Sequence, residues 1–173
     1  MQVLNFKKTF LMLIVAVLTI SGCSKKDDEA NNEGGFHLKA KIGSKDRIFS
    51  DVRARWIDGG NYLEITGRAS NNEWLTITVM NEAKKVPVGK YSLDDNTGFS
   101  ILSIYTLIEN NTQENYTASR ETVWPDVFNL EITKIDNTVV EGKFTGTLVI
   151  GSGLTTVETI TVENGSLSAP FKN

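Results

Sequence analysis

One cysteine and one histidine in 173 residues close off several kinds of chemistry before any motif is sought. A lone thiol, Cys23, cannot form an internal disulfide, and a lone imidazole, His37, rules out a two-histidine metal site and leaves no Cys/His pair. A Ser-His-Asp arrangement would have to rest on His37, which sits with Lys39 and Lys41 on the polar side of an alternating stretch, the setting of an ordinary solvent-facing side chain. No ligand set for a metal or a cofactor stands out. The chain also lacks a basic excess: 18 Lys and Arg face 21 Asp and Glu, a net charge of −3, and phosphate recognition needs a clustered basic face. Long hydrophobic runs are missing as well. The one apolar segment, Phe10 to Ile20 (FLMLIVAVLTI), spans only about 16 Å as a helix against roughly 30 Å of bilayer hydrocarbon, too little for a stable transmembrane anchor.

What that segment does have is the right neighbours for export. Lys7 and Lys8 precede it as a positive n-region, and the small residues Ser21 and Gly22 follow, directly before Cys23. Ile20-Ser21-Gly22-Cys23 resembles the bacterial lipobox, and residues 1–22 resemble a type II (lipoprotein) signal peptide. The resemblance implies cleavage between Gly22 and Cys23, a diacylglyceryl thioether on Cys23 and an acylated new N-terminus. Two or three acyl chains, at about 0.8 kcal/mol per buried methylene, hold a soluble domain on a membrane where one chain would not. The plainer alternative is an uncleaved apolar helix with an incidental cysteine. Cleavage removes Lys7 and Lys8 and no acid, which leaves 16 basic against 21 acidic residues. Residues 23–35 then form a tether: Ser24 to Gly35 (SKKDDEANNEGG) has one weakly apolar residue, Ala30, and cannot offset its chain entropy by burial. Within it Lys26-Asp27-Asp28-Glu29 resembles the lysine-plus-acids signal that sends lipoproteins of Bacteroidota to the outer face of the outer membrane; the alternative is a merely solvated linker.

From Phe36 onward the dominant period is two, the mark of half-buried strands. Phe36, Leu38, Ala40 and Ile42 form one apolar face. Val52, Ala54 and Trp56 form another and place Trp56 in phase with the core, before a turn at Asp58-Gly59-Gly60. A loop at residues 70–72 predicts pairing of Leu63 with Val79, Ile65 with Ile77 and Arg68 with Trp74, the last a cation facing a ring. A turn at Asp136-Asn137-Thr138 predicts Ile132 opposite Gly142, Leu130 opposite Phe144 and Phe128 opposite Gly146, with the glycines making room for bulky neighbours. Further strands are expected at 99–108, at 139–150, at 157–163 and at 167–171, with turns at Gly151-Ser152-Gly153 and at Asn164-Gly165. Glu109 to Val127 reads as a long polar excursion with one helical turn near Ser119 to Val123. The expectation is an all-β fold: a single antiparallel domain over residues 36–173, with roughly nine or ten strands in meander hairpins, built as a sandwich or a partly closed barrel.

Several short strings occur in order: Phe36-His37-Leu38-Lys39-Ala40, Pro87-Val88-Gly89-Lys90-Tyr91-Ser92-Leu93, Leu130-Glu131-Ile132-Thr133-Lys134-Ile135-Asp136 with Val140-Glu141-Gly142-Lys143-Phe144, and Ile160-Thr161-Val162-Glu163-Asn164-Gly165-Ser166-Leu167. With the lipoprotein signal and acidic tether, the whole is similar to small Bacteroidota surface lipoproteins that carry a domain of unknown function. The resemblance implies an all-β surface lipoprotein and transfers no catalytic residue.

Asp94-Asp95-Asn96-Thr97-Gly98 has the look of an oxygen-rich calcium loop, yet it lacks the fifth-position side-chain ligand and the distal glutamate, so a plain loop is expected. Glu64, Glu131, Glu141 and Glu158 offer no spacing that marks a glycosidase pair. The candidate binding surface is aromatic: Tyr62 and Trp74 on polar strand faces, Tyr116 and Trp124 in the long excursion. The leading expectation is a non-enzymatic, membrane-anchored binding or interaction module for glycan or protein, with no nucleic-acid partner. The alternatives are a hydrolase or hydrolase inhibitor acting on envelope or host polymers, and a lipocalin-like carrier. An aromatic cluster on one face would favour the first, two close carboxylates in a concave pocket the second, and a wide empty barrel the third.

Overall fold

A computed structural model describes residues 35–93 and 95–172. The lipobox with Gly22 and Cys23, the export signal Lys26, Asp27, Asp28 and Glu29, and Asp94 lie outside the described residues. The domain is all-β and antiparallel. Its strands are β1 (His37–Ile42), β2 (Lys45–Phe49), β3 (Asp51–Ile57), β4 (Tyr62–Ser70), β5 (Glu73–Met80), β6 (Gly89–Ser92), β7 (Ser100–Glu109), β8 (Thr112–Ala118), β9 (Val127–Ile135), β10 (Val139–Ser152) and β11 (Thr155–Pro170), with one 3-10 turn at Asp58–Gly60. The order across the sheet is β2-β1-β11-β10-β8-β7-β5-β4-β3, so most neighbours are consecutive hairpins, as the turn signals imply.

The two ends of this sheet nearly meet. Ala54 of β3 bridges Phe171 in parallel, the Lys172 amide donates to the Ala54 carbonyl at 3.1 Å, and the Trp56 ring stacks on Phe171 with centroids 5.7 Å apart. Trp56 is thus a structural residue, as its phase predicts, and the sheet is nearly closed into a barrel. Side chains fill the interior. Leu38, Phe49, Leu63, Ile65, Leu75, Ile77, Phe128, Leu130 and Phe144 are fully buried, and a Cβ on Gly67 would lie 2.8 Å from the Phe49 Cβ.

Both hairpin registers hold. Leu63 faces Val79, Ile65 faces Ile77 and Arg68 faces Trp74; Ile132 faces Gly142, Leu130 faces Phe144 and Phe128 faces Gly146. A slip of one residue would have turned every apolar side chain outward. A Cβ on Gly146 would meet the Phe128 ring at 2.8 Å, so this glycine makes room for the ring as expected.

Eleven strands stand where nine or ten were expected, and the differences have physical causes. Short β2 and β6 carry too few residues for a legible period. The polar excursion contains β8, whose alternation is polar on both faces until Tyr116 and Ala118 turn inward. The helical turn expected near Ser119 to Val123 is one hydrogen-bonded reverse turn, with the Thr122 amide donating to the Ser119 carbonyl at 3.0 Å. Phe36 precedes β1 and is exposed. Most instructive, Asn164-Gly165 makes no hairpin, and the two strands expected on either side are one, β11. Asn164 adopts φ 53, a left-handed conformation that asparagine tolerates. Here it makes a bulge, with Glu163 opposite Lys41 and Ser166 opposite Lys39, so that residues 164 and 165 together face Ala40. Because β1 and β10 pair with β11 on both sides, continuing the ladder satisfies more backbone groups than a turn would.

The same bulge brings Gly165 under Phe144. A Cβ there would sit 2.4 Å from the Phe144 carbonyl oxygen and 2.5 Å from its ring. Gly165→Ala should therefore destabilise the domain by about 2 kcal/mol or more, since overpacking against rigid backbone costs about 1–3 kcal/mol; chemical denaturation measures it. In the β9–β10 turn the Thr138 hydroxyl, then the Thr138 and Val139 amides, donate to Asp136 Oδ1 and hold its carboxyl down at about 2. A lowered folded value stabilises above the ordinary 3.8 and loses that contribution as pH falls through about 2. Thermal midpoints of Asp136→Ala should thus lie below wild type at neutral pH, and the gap should close only as pH falls from near 3.8 to about 2.

Candidate interaction surface

The segment between β8 and β9 is short of backbone partners and is held by side chains instead. The Ser119 amide donates to Asp126 Oδ2 at 3.0 Å, the Ser119 and Thr122 hydroxyls lie 2.8 Å apart, and the Glu121 amide donates to Ser119 Oγ at 3.2 Å. The Thr156 hydroxyl of β11 donates to the Trp124 carbonyl, and Val123 lies against Gly151 of β10. These contacts tie the loop to the protruding end of the β10–β11 hairpin, whose chain reverses at Gly153-Leu154 with Gly153 at φ 60.

Four apolar side chains are left in water there. Trp124 is 86% exposed, Leu154 98%, Val157 65% and Val127 48%. Isolated exposed apolar residues are ordinary, but Trp124, Leu154 and Val157 fall on one tied loop and one hairpin end, with Val127 farther along on β9 opposite Thr147. Its border is acidic. Glu121 and Glu158 are exposed, and residues 121–127 and 151–159 include no lysine or arginine. The adjacent Arg120 is directed elsewhere: its Nε donates to the Leu93 carbonyl at 2.7 Å and its Nη2 to the Asp95 carbonyl at 3.1 Å.

Of the four aromatic candidates only Trp124 belongs to this surface. Tyr62 and Trp74 are half-buried near opposite ends of the β4–β5 hairpin, and Arg68 stands 5.9 Å above the Trp74 ring. Tyr116 is not in a loop at all: it points into the barrel, 4% exposed, with its ring 6.1 Å from Tyr105. Val157 escaped notice because it opens an expected strand, and Val127 because it closes the stretch read as a polar excursion. The available signal was Leu154, an apolar residue placed directly after Gly151-Ser152-Gly153, where turn chemistry calls for a polar one.

Tyr116 belongs to a polar cluster at the barrel end from which the hairpin emerges. Tyr105 donates to Glu73 Oε1 at 2.7 Å, and Arg47 Nε lies 3.1 Å from the same oxygen. The Tyr116 hydroxyl lies between Glu158 and Glu114, 3.4 Å from Glu114 Oε2. Burial first, and then the neighbouring carboxylates, push both phenols well above their ordinary value. They are hydrogen-bond donors, and Glu73 Oε1 is engaged by the Tyr105 hydroxyl and ion-paired with Arg47.

The remaining candidates are occupied locally. His37 Nδ1 is 3.0 Å from the Gly35 carbonyl. Asp95 accepts from the Ser92 and Thr97 amides at 2.7 and 3.0 Å and from the Thr97 hydroxyl. Burial would raise its carboxyl, but those bonds and Arg120 lower it overall. Among the described residues no group of three or more His, Cys, Asp or Glu is placed to hold a metal ion.

The contrast between the two aromatic residues is measurable. Trp124→Ala should change stability by no more than about 0.5 kcal/mol, as for other exposed sites, whereas Tyr116→Ala should cost roughly 3 kcal/mol or more; equilibrium unfolding compares the two. No family model, curated protein or solved structure matches this chain.

Proposed function

We propose that this chain is a non-enzymatic interaction module held on a membrane by lipid at Cys23, and that it docks a protein partner through the Trp124–Leu154–Val157 surface. The observation that carries this reading is the exposure of those side chains on one tied loop and hairpin end. Burying a leucine or valine side chain contributes about 1.5–3 kcal/mol, so three or four such groups supply a useful share of a specific interface. The acidic border selects the occupant. A bilayer with anionic head groups would repel Glu121, whereas an apolar socket edged by lysine or arginine would complement it.

Placement supports the same reading. The described chain enters the barrel at His37, opposite Ser168, and Leu154 lies at the other end of β11, on the order of 40 Å away at about 3.3 Å per residue. A domain tethered from residues 23–35 can therefore offer this end outward, in keeping with the resemblance of the signal and of Lys26 to Glu29 to surface lipoproteins of Bacteroidota. The filled interior weighs against a lipocalin-like carrier. The engaged state of Glu73 and the raised phenols of Tyr105 and Tyr116 weigh against a hydrolase at the barrel end.

A photo-crosslinking residue at Leu154 in intact cells should yield one discrete protein adduct, which Glu121→Lys should weaken severalfold. Adducts to lipid alone, or adducts indifferent to charge reversal, would overturn the docking reading. Separately, Cys23→Ser should leave the fold intact and shift the protein out of the membrane fraction; retention there would refute the anchor.

A further inference from the structure

Beside the apolar hairpin end, β11 outruns the strand that should cover it. Ile42 opposite Val162 is the last ladder pair of β1; the Gly43 amide then donates to the Thr161 carbonyl at 2.8 Å, and Gly43 at φ 59 turns the chain away toward β2. On the other side β10 continues to Ser152 opposite Thr155. Residues 155–160 of β11 therefore have a neighbouring strand on one edge only, over a length of about 20 Å at about 3.3 Å per residue.

Main-chain direction fixes what that edge offers. The N–H and C=O of one strand residue point the same way and alternate sides along the chain, so the Thr161 carbonyl that reaches Gly43 sets Thr159 on the same, open side. From Glu158 to Val162 the pairing with β10 runs without a register shift, and the Thr159 N–H and C=O find no partner among the described residues. Such an edge is a template for another strand unless lysine, proline or a bulge blunts it. Seven of the eight residues from Thr155 to Val162 are β-branched, and none is lysine or proline. The one blunting device along it is a bulge at Val157, where the register shifts between Ile150 and Gly151. Exposed Val157 and partly buried Ile160 add apolar surface beside it. The open groove on the outer face of β6, β9 and β10, by contrast, sets Lys90 and Lys143 against Glu131 and Asp95 and singles out no ligand.

We infer that the protein partner docks by strand addition: an extended segment of it lies along residues 157–161 of β11, bonds the Thr159 N–H and C=O, and sets apolar side chains against Val157 and Ile160. The inference rests on the docking reading and supplies its mode, in which main-chain bonds give affinity and alternate side chains give specificity. A polypeptide is the fitting occupant because an N–H and a C=O at strand spacing match another extended backbone, a repeat that neither sugar hydroxyls nor acyl chains carry. A second copy of the chain fits poorly. β11 runs toward Ser168, beside the start of β1, so antiparallel pairing of two β11 edges about a two-fold axis would point the two chain entries in opposite directions, whereas both copies are tethered to one membrane.

A benzophenone side chain placed in turn at Val157, Thr159 and Thr161 of the full chain in intact cells should label one short segment of one partner, the attachment point moving by about two residues from each position to the next. The Thr159 N–H lies outside the β10–β11 ladder, so Thr159→Pro removes the edge donor without taking a ladder bond. It should lower the Leu154 adduct about tenfold. Melting curves establish whether this variant is folded, and the labelling pattern decides the matter if it is not. The inference fails if folded Thr159→Pro forms the Leu154 adduct at the wild-type level, if the labelled positions scatter, or if the labelled chain is a second copy. The first two outcomes leave docking through the apolar end standing. Absence of any Leu154 adduct in the wild type overturns the docking reading and this inference with it.

Discussion

The β10–β11 ladder runs from Val139 opposite Pro170 to Ser152 opposite Thr155, with the outer edge of β10 in use over most of its length and that of β11 over its second half. On the β10 side, β9 takes residues Val140 to Thr147 and β8 takes over at Val149. On the β11 side, β1 takes residues Val162 to Ser168. A hairpin this long would twist out of plane if it stayed regular. The bulge at Asn164 and the close seat of Phe144 on Gly165 let it coil instead, so that one pair of strands spans both the β9–β6 flank and the β8–β7–β5–β4–β3 flank.

Both the apolar hairpin end and the groove on β6, β9 and β10 follow from that geometry. Where β8 leaves β10 and β9 joins it, the connecting loop has nowhere to lie except beside the hairpin end, and it carries Trp124 to Leu154 and Val157. Lower on the same hairpin, coiling draws the outer faces of β6, β9 and β10 into a groove. One end offers apolar groups, and the flank offers mixed polar and charged ones. The two chemistries differ because the first is a chain reversal outside the sheet and the second is a solvent face within it.

Closure depends on a smaller set of contacts. The last described residues, Phe171 and Lys172, fill the seam beside β3, with Trp56 stacked on Phe171 and Lys85 Nζ 4.2 Å from the centroid of the Trp56 ring. Trp56 is thus spent on structure, which leaves Trp124 as the tryptophan with its faces in water.

Local pattern was enough wherever two strands were joined by a tight turn. The pairs from Leu63–Val79 to Arg68–Trp74 and from Phe128–Gly146 to Ile132–Gly142 could be read from period two and turn length, because one register buries their apolar groups, while each ladder slips by one residue beside its turn, at Ser70–Glu73 and Lys134–Glu141. Tyr116 was misplaced because β8 is polar except at its end, and only its partner Tyr105 reveals which side is inward. Asn164-Gly165 misled for a related reason: the dipeptide is compatible with a turn and with a bulge, and the choice rests on strands β1 and β10, more than a hundred and about twenty positions away in the chain. The all-β class, the two registers and the structural role of Trp56 were determined by the sequence alone, since alternation and turn chemistry act over a few residues. The eleventh strand, the near closure at Phe171, the apolar hairpin end and the polar groove were decided only by the tertiary structure, because each brings together segments whose separation along the chain no local pattern records.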